Sequence, residues 1–241
     1  TALAEWKPSH DGRHVAYAVQ DGGSDWRTLR VLDVHSGQPL SDEIRWVKFS
    51  SIAWSCNGNG FFYSRFPAPA AGQEFQALNE NQSVYFHRLG TPQTDDRLIY
   101  ATPDSPRRMH GTSITSDGAW LVITTSEGTD DRYEIHLLDL RRPDAKPVAL
   151  VRGLEANWTL VDGIGDRLWF VTNSQAPLQK VVAFDAAHPD RAPTDVVAEG
   201  KSKLDGATIV GDVLLADYLV DAKSEVRRHA LDGRLLGTVK L

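Results

Sequence analysis

The residue types that most often carry catalysis are present in this chain but do not form a recognisable set. The 241-residue sequence holds eight histidines and one cysteine. It contains no Gly-x-Ser-x-Gly motif, which would expose a nucleophilic serine on a strand–helix turn, and no His-Glu-x-x-His motif for zinc. The histidines are scattered without metal-ligand spacing. The sequence therefore predicts no catalytic residue, no metal site and no cofactor in this chain.

The paired acids and the single cysteine are predicted to have structural roles. Asp95-Asp96 and Asp130-Asp131 fall at predicted turns, where Asp side chains bond to nearby backbone groups. We expect Cys56 to be a small buried hydrophobic side chain rather than a reactive thiol. The absence of a disulfide framework suits the cytoplasm, and we expect that location. A periplasmic location stays open, because a signal segment removed upstream would leave no trace in these residues.

Composition argues against two classes of partner. The formal net charge is −6, whereas nucleic-acid-binding proteins cluster Lys and Arg on one surface. No uninterrupted apolar run approaches the roughly 18 residues that a membrane helix needs. The fractions of hydrophobic and charged residues, 41% and 24%, are ordinary for a soluble protein with a packed core. We therefore expect neither a nucleic-acid partner nor a membrane.

The elements that would position any site recur along the chain. A polar residue, Asp-Gly and an alternating apolar run appear as SHDGRHVAYAV at 9–19 and as TSDGAWLVITT at 115–125. Asp-Gly favours a tight turn, and the run after it suits a half-buried strand. The turn glycine recurs at intervals of 48, 58, 47 and 46 residues, at Gly12, Gly60, Gly118, Gly165 and Gly211. The longest interval contains a Pro/Ala/Gln-rich stretch at 67–82, which we interpret as a loop insertion.

This repeat predicts an all-β fold. Each interval holds about four candidate strands, and none shows a 3.6-residue apolar period over a helical length. A four-stranded antiparallel unit of this period is typical of a β-propeller blade, with a self-similar β-sandwich as the alternative. We predict one propeller segment over 1–241, with about five blade-like units at about 1–47, 48–105, 106–152, 153–199 and 200–241.

An ordered set of motifs resembles the propeller domain of prolyl oligopeptidase, a post-proline-cleaving serine peptidase. GSDW at 23–26, VKFSSIAW at 47–54 and FYSRF at 62–66 stand in the family's order and spacing. VYFHRLGTPQTDDRLIY at 84–100 and SDGAWLVITTSEGTD at 116–130 continue the match. Each motif alone has little specificity, but the ordered set is specific. The resemblance runs through essentially the whole chain.

The resemblance implies a seven-bladed propeller over an α/β-hydrolase domain that carries a Ser-Asp-His triad. In that family the propeller restricts access, so that short peptides reach the triad and folded proteins do not. Five blade-like units and no hydrolase domain are present here. The chain is thus expected to gate and line the cleft of an endopeptidase, with the hydrolase domain and short proline-containing peptides as partners. The alternative is a free-standing propeller that binds a protein or a small ligand.

The resemblance also implies five site residues. Phe49, in WVKFS, and Met109, in RRMHG, match family residues that line the substrate cleft; ordinary core packing is the alternative for both. Thr129 stands where some members have a cysteine and Ser126 where some have an arginine, so neither thiol sensitivity nor an added positive charge is expected there. Asp25, in GSDW, lies in a family motif that faces the hydrolase and is an expected interdomain charge. None of these residues would break a bond.

Overall fold

A computed structural model describes residues 2–20 and 22–239. These residues form twenty β-strands and one short 3-10 helix, and no α-helix occurs among them. The strands pair into five four-stranded sheets, and each sheet is a meander in which sequence neighbours are hydrogen-bonded neighbours. Within the same ranges no helix is long and apolar enough to cross a membrane. The predicted all-β architecture of four-stranded antiparallel sheets is confirmed.

The strands of the first two sheets lie in the first 101 residues. Sheet 1 consists of β1 (Ala2–Pro8), β2 (His14–Gln20), β3 (Arg27–Asp33) and β4 (Gln38–Val47). Sheet 2 consists of β5 (Ala53–Trp54), β6 (Gly60–Arg65), β7 (Ser83–Arg88) and β8 (Arg97–Ala101), with the 3-10 helix Gln93–Asp95 between β7 and β8. The Pro/Ala/Gln-rich stretch at 67–82 forms no strand and connects β6 to β7.

The remaining three sheets follow in chain order. Sheet 3 consists of β9 (Arg108–Ile114), β10 (Trp120–Glu127), β11 (Glu134–Asp139) and β12 (Val148–Val151). Sheet 4 consists of β13 (Trp158–Ile164), β14 (Arg167–Thr172), β15 (Lys180–Asp185) and β16 (Thr194–Val197). Sheet 5 consists of β17 (Lys203–Val210), β18 (Val213–Val220), β19 (Lys223–Ala230) and β20 (Leu235–Thr238).

Three turns between first and second strands share one hydrogen-bonding motif. A Ser or Thr hydroxyl donates to the side-chain oxygen of the Asp or Asn two residues later, and the same oxygen accepts a backbone N–H a further two residues on. The hydroxyl bonds are Ser9 to Asp11 (2.6 Å), Ser55 to Asn57 (2.9 Å) and Thr115 to Asp117 (2.7 Å). This local hydrogen bonding explains why the same short turn motif recurs in the sequence.

The turn glycine of sheet 2 is Gly58 and not the predicted Gly60. Gly58 has a φ of 68°, close to the 70° of Gly12 at the equivalent turn. Gly60 instead begins β6 and lies against β7, where an added Cβ would be 2.2 Å from the carbonyl oxygen of His87. The motif CNGNG contains both glycines, so the turn position depends on how β6 pairs with β7.

The chain divides into two compact units. Unit 1 comprises 1–114, 121–130 and 138–147, and it contains sheets 1 and 2 together with β9 and most of β10. Unit 2 comprises 115–120, 131–137 and 148–241, and it contains sheets 4 and 5. Sheet 3 contributes residues to both units. Each unit therefore brings sheets together around a core of its own.

The cores follow from the alternation along the strands. In unit 1, inward-facing residues of neighbouring sheets pack together, among them Leu29, Val31, Ile44, Phe61 and Tyr63. In unit 2, the corresponding cluster includes Trp169, Val181, Leu204, Leu214 and Tyr218. Tryptophan side chains add hydrogen bonds between sheets, because an indole N–H keeps a partner when buried. Trp54 donates to the carbonyl of Lys7 at 2.9 Å in this way.

Candidate functional site

The five predicted site residues lie in unit 1 on the side of the sheets where first and third strands begin. We call such a set of strand ends an edge. In an antiparallel meander the first strand begins, the second ends, the third begins and the fourth ends at the same edge. Asp25 follows β2, Phe49 follows β4, Met109 is near the start of β9, Ser126 is near the end of β10, and Thr129 follows β10. We name this edge of unit 1, including the β6–β7 connection, the Phe49 edge.

The backbone of the Phe49 edge is strained. Trp46, Phe49 and Asn81 have φ values of 65°, 50° and 61°, in the left-handed region that non-glycine residues rarely occupy. Such conformations cost on the order of 1–3 kcal/mol each and persist only where the surrounding structure holds them. They occur preferentially at binding and catalytic sites. The strain and the five predicted site residues together make this edge of unit 1 the candidate functional site.

An aromatic cluster supports the strained segment. The rings of Trp26 and Trp46 meet edge to face at 5.5 Å between centroids, and Phe66 packs edge to face on Trp26 at 6.2 Å. The backbone N–H of Phe66 donates to the carbonyl of Trp46 at 3.0 Å. The indole N–H of Trp26 donates to the carbonyl of Glu74 at 2.6 Å, which ties the β6–β7 connection to the same cluster. Aromatic contacts of this geometry stabilise beyond the area they bury.

Lys48 places a buried cation beside the aromatic cluster. Its Nζ atom lies 3.8 Å from the centroid of the Trp26 ring and 3.4 Å from the side-chain oxygen of Asn79. In the part of the chain that the structure describes, no carboxylate lies within ion-pair distance of this amine. A cation held by a ring and an amide keeps a positive potential at the edge. That potential favours a carbonyl or carboxylate group of a ligand.

Phe49 and Met109 occupy different environments at this edge. Phe49 exposes 47% of its surface, so it does not pack in the core. Met109 is half-buried and stands directly opposite Ser126 in the pairing of β9 with β10. An exposed aromatic ring and a flexible thioether can contact an apolar ligand side chain, and the hydroxyl of Ser126 can accept or donate a hydrogen bond. That these residues line a substrate cleft stays a prediction.

Asp25 and Thr129 are exposed at the same edge. Among the described residues, the side chains of Asp25 and Thr129 make no hydrogen bond or ion pair. Their predicted roles stay predictions as well. Within the described ranges, no group of three or more His, Cys, Asp or Glu side chains could hold a metal ion.

Comparison with known proteins identifies the family. The chain matches the family model of the prolyl oligopeptidase N-terminal beta-propeller domain over residues 1–241. The chain belongs to the prolyl oligopeptidase family. The predicted β-propeller fold is thereby confirmed, and the β-sandwich alternative is wrong.

Relatives of this prolyl oligopeptidase propeller are longer proteins. The chain is 34% identical to the prolyl endopeptidase of Elizabethkingia meningoseptica and 31% identical to prolyl oligopeptidase ophP of Omphalotus olearius, covering 100% and 99% of this chain and 34% of each relative. A structure from a study of inter-domain dynamics in two prolyl endopeptidases superposes with a TM-score of 0.93 at 46% identity, covering 100% of this chain and 34% of that one.

Prolyl oligopeptidase B from Galerina marginata, bound to a 35mer hydrolysis and macrocyclization substrate, superposes with a TM-score of 0.90 at 25% identity. The match covers 99% of this chain and 35% of that chain. The chain thus spans about a third of the length of the relatives it matches. It corresponds to the propeller portion of longer members of the family.

This chain also holds an ionic cluster that its sequence motifs do not predict. The imidazole of His87 lies between two carboxylates, 2.9 Å from Asp42 Oδ1 and 2.7 Å from Asp96 Oδ1. The hydroxyl of Tyr63 donates to the other oxygen of Asp96 at 2.6 Å. All four side chains are buried, and His87 and Asp96 lie at the edge of unit 1 opposite Phe49, where β7 ends and β8 begins. We name Asp42, Tyr63, His87 and Asp96 the His87 cluster.

The charges of the His87 cluster shift its ionisation. Burial lowers the pKa of His87, but hydrogen bonds to Asp96 and Asp42 and the charges of both carboxylates together outweigh burial and raise that pKa. Burial, with the hydrogen bond to Asp96 and its charge, also raises the pKa of Tyr63. A protonated imidazole can donate to both carboxylates at once. The cluster therefore ties β4 of sheet 1 to sheet 2 through a charged group.

Two predicted side-chain roles are wrong, namely burial for Cys56 and bonding to the nearby backbone for Asp96. Cys56 is exposed, because it lies in the tight turn between β5 and β6, where side chains point away from the core. Asp96 ends the short 3-10 helix, at a turn as predicted, but its side chain is buried and bonds His87 and Tyr63 rather than the nearby backbone. The neighbouring Asp95 does lie in the short 3-10 helix, as predicted for a turn. The two members of one acid pair thus have opposite environments.

Proposed function

We propose that this chain is the substrate-gating and cleft-lining propeller of a post-proline-cleaving serine endopeptidase that hydrolyses short peptides. By itself the chain is non-catalytic. Its partners are the α/β-hydrolase domain of the longer protein and short proline-containing peptides, and its location is the cytoplasm. Membership of the prolyl oligopeptidase family supports the proposal. The observation that carries it is the Phe49 edge, where a strained backbone presents an exposed aromatic ring.

In this proposal the residues of the Phe49 edge bind and orient the peptide. Phe49 offers an apolar face to a peptide side chain, and Met109 adapts its unbranched side chain to the opposite wall. Lys48 stabilises a peptide carbonyl or carboxylate through its positive charge. Asp25 faces the hydrolase domain as an interdomain charge. The bond-breaking nucleophile belongs to the hydrolase domain.

In this proposal, gating follows from the position of the Phe49 edge next to the hydrolase domain. A cleft enclosed between a propeller and a second domain admits a chain that is short and unfolded, and it excludes a folded protein. The complete gene product should therefore cleave a short proline peptide but spare the same sequence displayed on a folded protein. Equal cleavage of both substrates would contradict gating while leaving the binding role of the Phe49 edge intact.

Steady-state kinetics of the complete gene product test the binding role. Phe49→Ala and Met109→Ala should each raise KM for a short proline peptide by roughly tenfold with kcat little changed, because they remove contacts made equally in the ground and transition states. Ile164→Ala is the matched control, since Ile164 is 46% exposed and lies at the opposite edge of its own sheet. Unchanged KM in both variants would contradict the role.

The chain on its own tests the non-catalytic claim. Purified residues 1–241 should not release the chromophore from a chromogenic proline peptide, because the sequence carries no nucleophile elbow. Turnover that survives repurification and is abolished by a serine-directed inhibitor would refute the claim. A complete gene product that binds a partner protein but cleaves no proline peptide would instead identify a free-standing propeller.

A further inference from the structure

We infer that Gln82 is the positioning residue that sets Phe49 relative to Met109, an inference that rests on the proposed function. Gln82 lies immediately before β7 and is almost fully buried, although a primary amide is costly to bury without partners. It makes no contact with a ligand in this role. It acts through the backbone of the segments that carry the two proposed cleft residues.

The amide of Gln82 bridges two separate backbone segments. Its Nε2 donates to the carbonyl of Lys48 at 2.8 Å and, at the longer distance of 3.5 Å, to the carbonyl of Phe49. Its Oε1 accepts the backbone N–H of His110 at 2.6 Å. His110 is the neighbour of Met109 in β9. One side chain therefore fixes the distance between the Phe49 segment and the strand of Met109.

The position of Gln82 is itself held in place. Asn81, whose φ is 61°, donates its backbone N–H to the carbonyl of Pro106 at 2.6 Å, just ahead of β9. The left-handed backbone at Asn81 turns the chain so that the next side chain points inward. The side chain of Gln82 thus connects two left-handed backbone positions, Asn81 and Phe49. A strained backbone of this kind persists only while such bonds hold it.

A second bridge runs parallel to the first and limits the expected effect. The buried Ser64 donates its hydroxyl to the carbonyl of His110 at 2.6 Å, and its backbone N–H donates to the hydroxyl of Ser50 at 2.8 Å. Ser64 therefore restrains Ser50, the residue after Phe49, while Gln82 restrains Phe49 and the residue before it, Lys48. Loss of Gln82 should loosen the Phe49 segment without unfolding unit 1.

Only an amide meets the demands of position 82. The site needs one acceptor for the N–H of His110 and donors for the carbonyls of Lys48 and Phe49. Methionine has a similar shape but makes none of these bonds. A carboxylate has no donor, whereas a protonated carboxylic acid has one donor and one acceptor. These differences define the variants for a test.

The test compares Gln82→Met with the wild type in the complete gene product. Hydrogen exchange should become faster in residues 45–52 and 106–112. KM for a short proline peptide should rise by about tenfold with kcat little changed, the size expected for a lost buried hydrogen-bonding group. In Gln82→Glu, the ratio of its KM to that of the wild type should fall toward one as the pH is lowered, because the protonated acid restores a donor.

Thr115→Val is the matched control. Thr115 is also buried, donates to Asp117 at 2.7 Å and accepts the backbone N–H of Trp120 at 3.1 Å, but it lies at the opposite kind of edge. It should lower the melting temperature and leave KM unchanged. An equal rise in KM in this control would overturn the inference, because general destabilisation would then account for the effect.

The two readouts separate this inference from the proposed function. Unchanged exchange in residues 45–52 of Gln82→Met would overturn the positioning role, whatever the kinetics. Faster exchange with unchanged KM would support the bridge but overturn the cleft role of Phe49 and Met109. If Gln82→Met does not fold, Gln82→Glu provides the same comparison, and a KM ratio that stays constant with pH would then overturn the inference.

Discussion

Unit 1 has two edges that differ in almost every physical respect. The Phe49 edge combines an exposed aromatic ring, a half-buried thioether and a cation with neutral partners. The His87 cluster, with His87 and Asp96 at the opposite edge, is buried, ionic and paired within itself. The first edge exposes an aromatic ring to solvent, whereas the second buries its charged groups against one another. The difference agrees with the proposed binding role of the Phe49 edge, and it gives the His87 cluster a role in cohesion between sheets.

Backbone conformation separates the same two kinds of edge throughout the described chain. Eight non-glycine residues in the described ranges have positive φ, and all lie at or beside edges of the Phe49 kind, including Asp221 and Ala222 between β18 and β19. Turns at the other kind of edge use glycine for positive φ, as at Gly12 and Gly118. Glycine relieves strain at little cost, so its absence at Phe49 points to a side chain that is needed there.

The largest predicted effect is on the His87 cluster. His87→Ala should lower the free energy of unfolding by about 3–5 kcal/mol, because it leaves two buried carboxylates without their cation. The measurement is the urea midpoint of tryptophan fluorescence. His188→Ala is the control, since His188 also bonds an aspartate, Asp185, at 2.8 Å but at an exposed position. A similar loss in both variants would show that burial does not distinguish the two pairs.

The second prediction concerns pH. Because the folded-state pKa of His87 is raised above its ordinary value of 6.5, its contribution to stability is fully present below that value. The contribution is lost as pH rises through the folded-state pKa. Each unit of pKa difference corresponds to about 1.4 kcal/mol. Urea midpoints should therefore fall from neutral to alkaline pH in the wild type and show less dependence in His87→Gln. Identical slopes would contradict the charged form of the cluster.

The smallest predicted effect is at the Phe49 edge. Phe49→Gly should change the free energy of unfolding by no more than about 1–2 kcal/mol, because release of the left-handed strain offsets the loss of the buried half of the side chain. The same variant should weaken peptide binding, measured as a rise in KM. Ala222→Gly, at a φ of 61° and an exposed position, should raise the free energy of unfolding by about 1 kcal/mol without changing KM. A destabilised Phe49→Gly with unchanged KM would make Phe49 structural and remove the contrast between the edges.

The sequence by itself determined the strands and the repeated turns. Apolar and polar residues alternate every two residues along a strand, and the hydrogen bond from Ser9 to Asp11 forms within a single turn. Both features can therefore be predicted from residues that are close in the sequence. The motifs from Asp25 to Thr129 also carried the family resemblance and the five site residues. The choice between Gly58 and Gly60 could not be made in this way, because it depends on the contact of β6 with β7.

Tertiary structure alone decided the partners of Gln82 and His87. The bond from His110 to Gln82 spans 28 residues, and the bond between His87 and Asp42 spans 45. Gln82 stands in no motif, the motif that contains His87 does not indicate Asp42 as its partner, and Asp96 resembles a turn acid beside Asp95. Short-range hydrogen bonds depend only on the backbone geometry of a single chain segment. Long-range bonds depend on which sheets pack together, and only the folded chain brings those atoms within reach of one another.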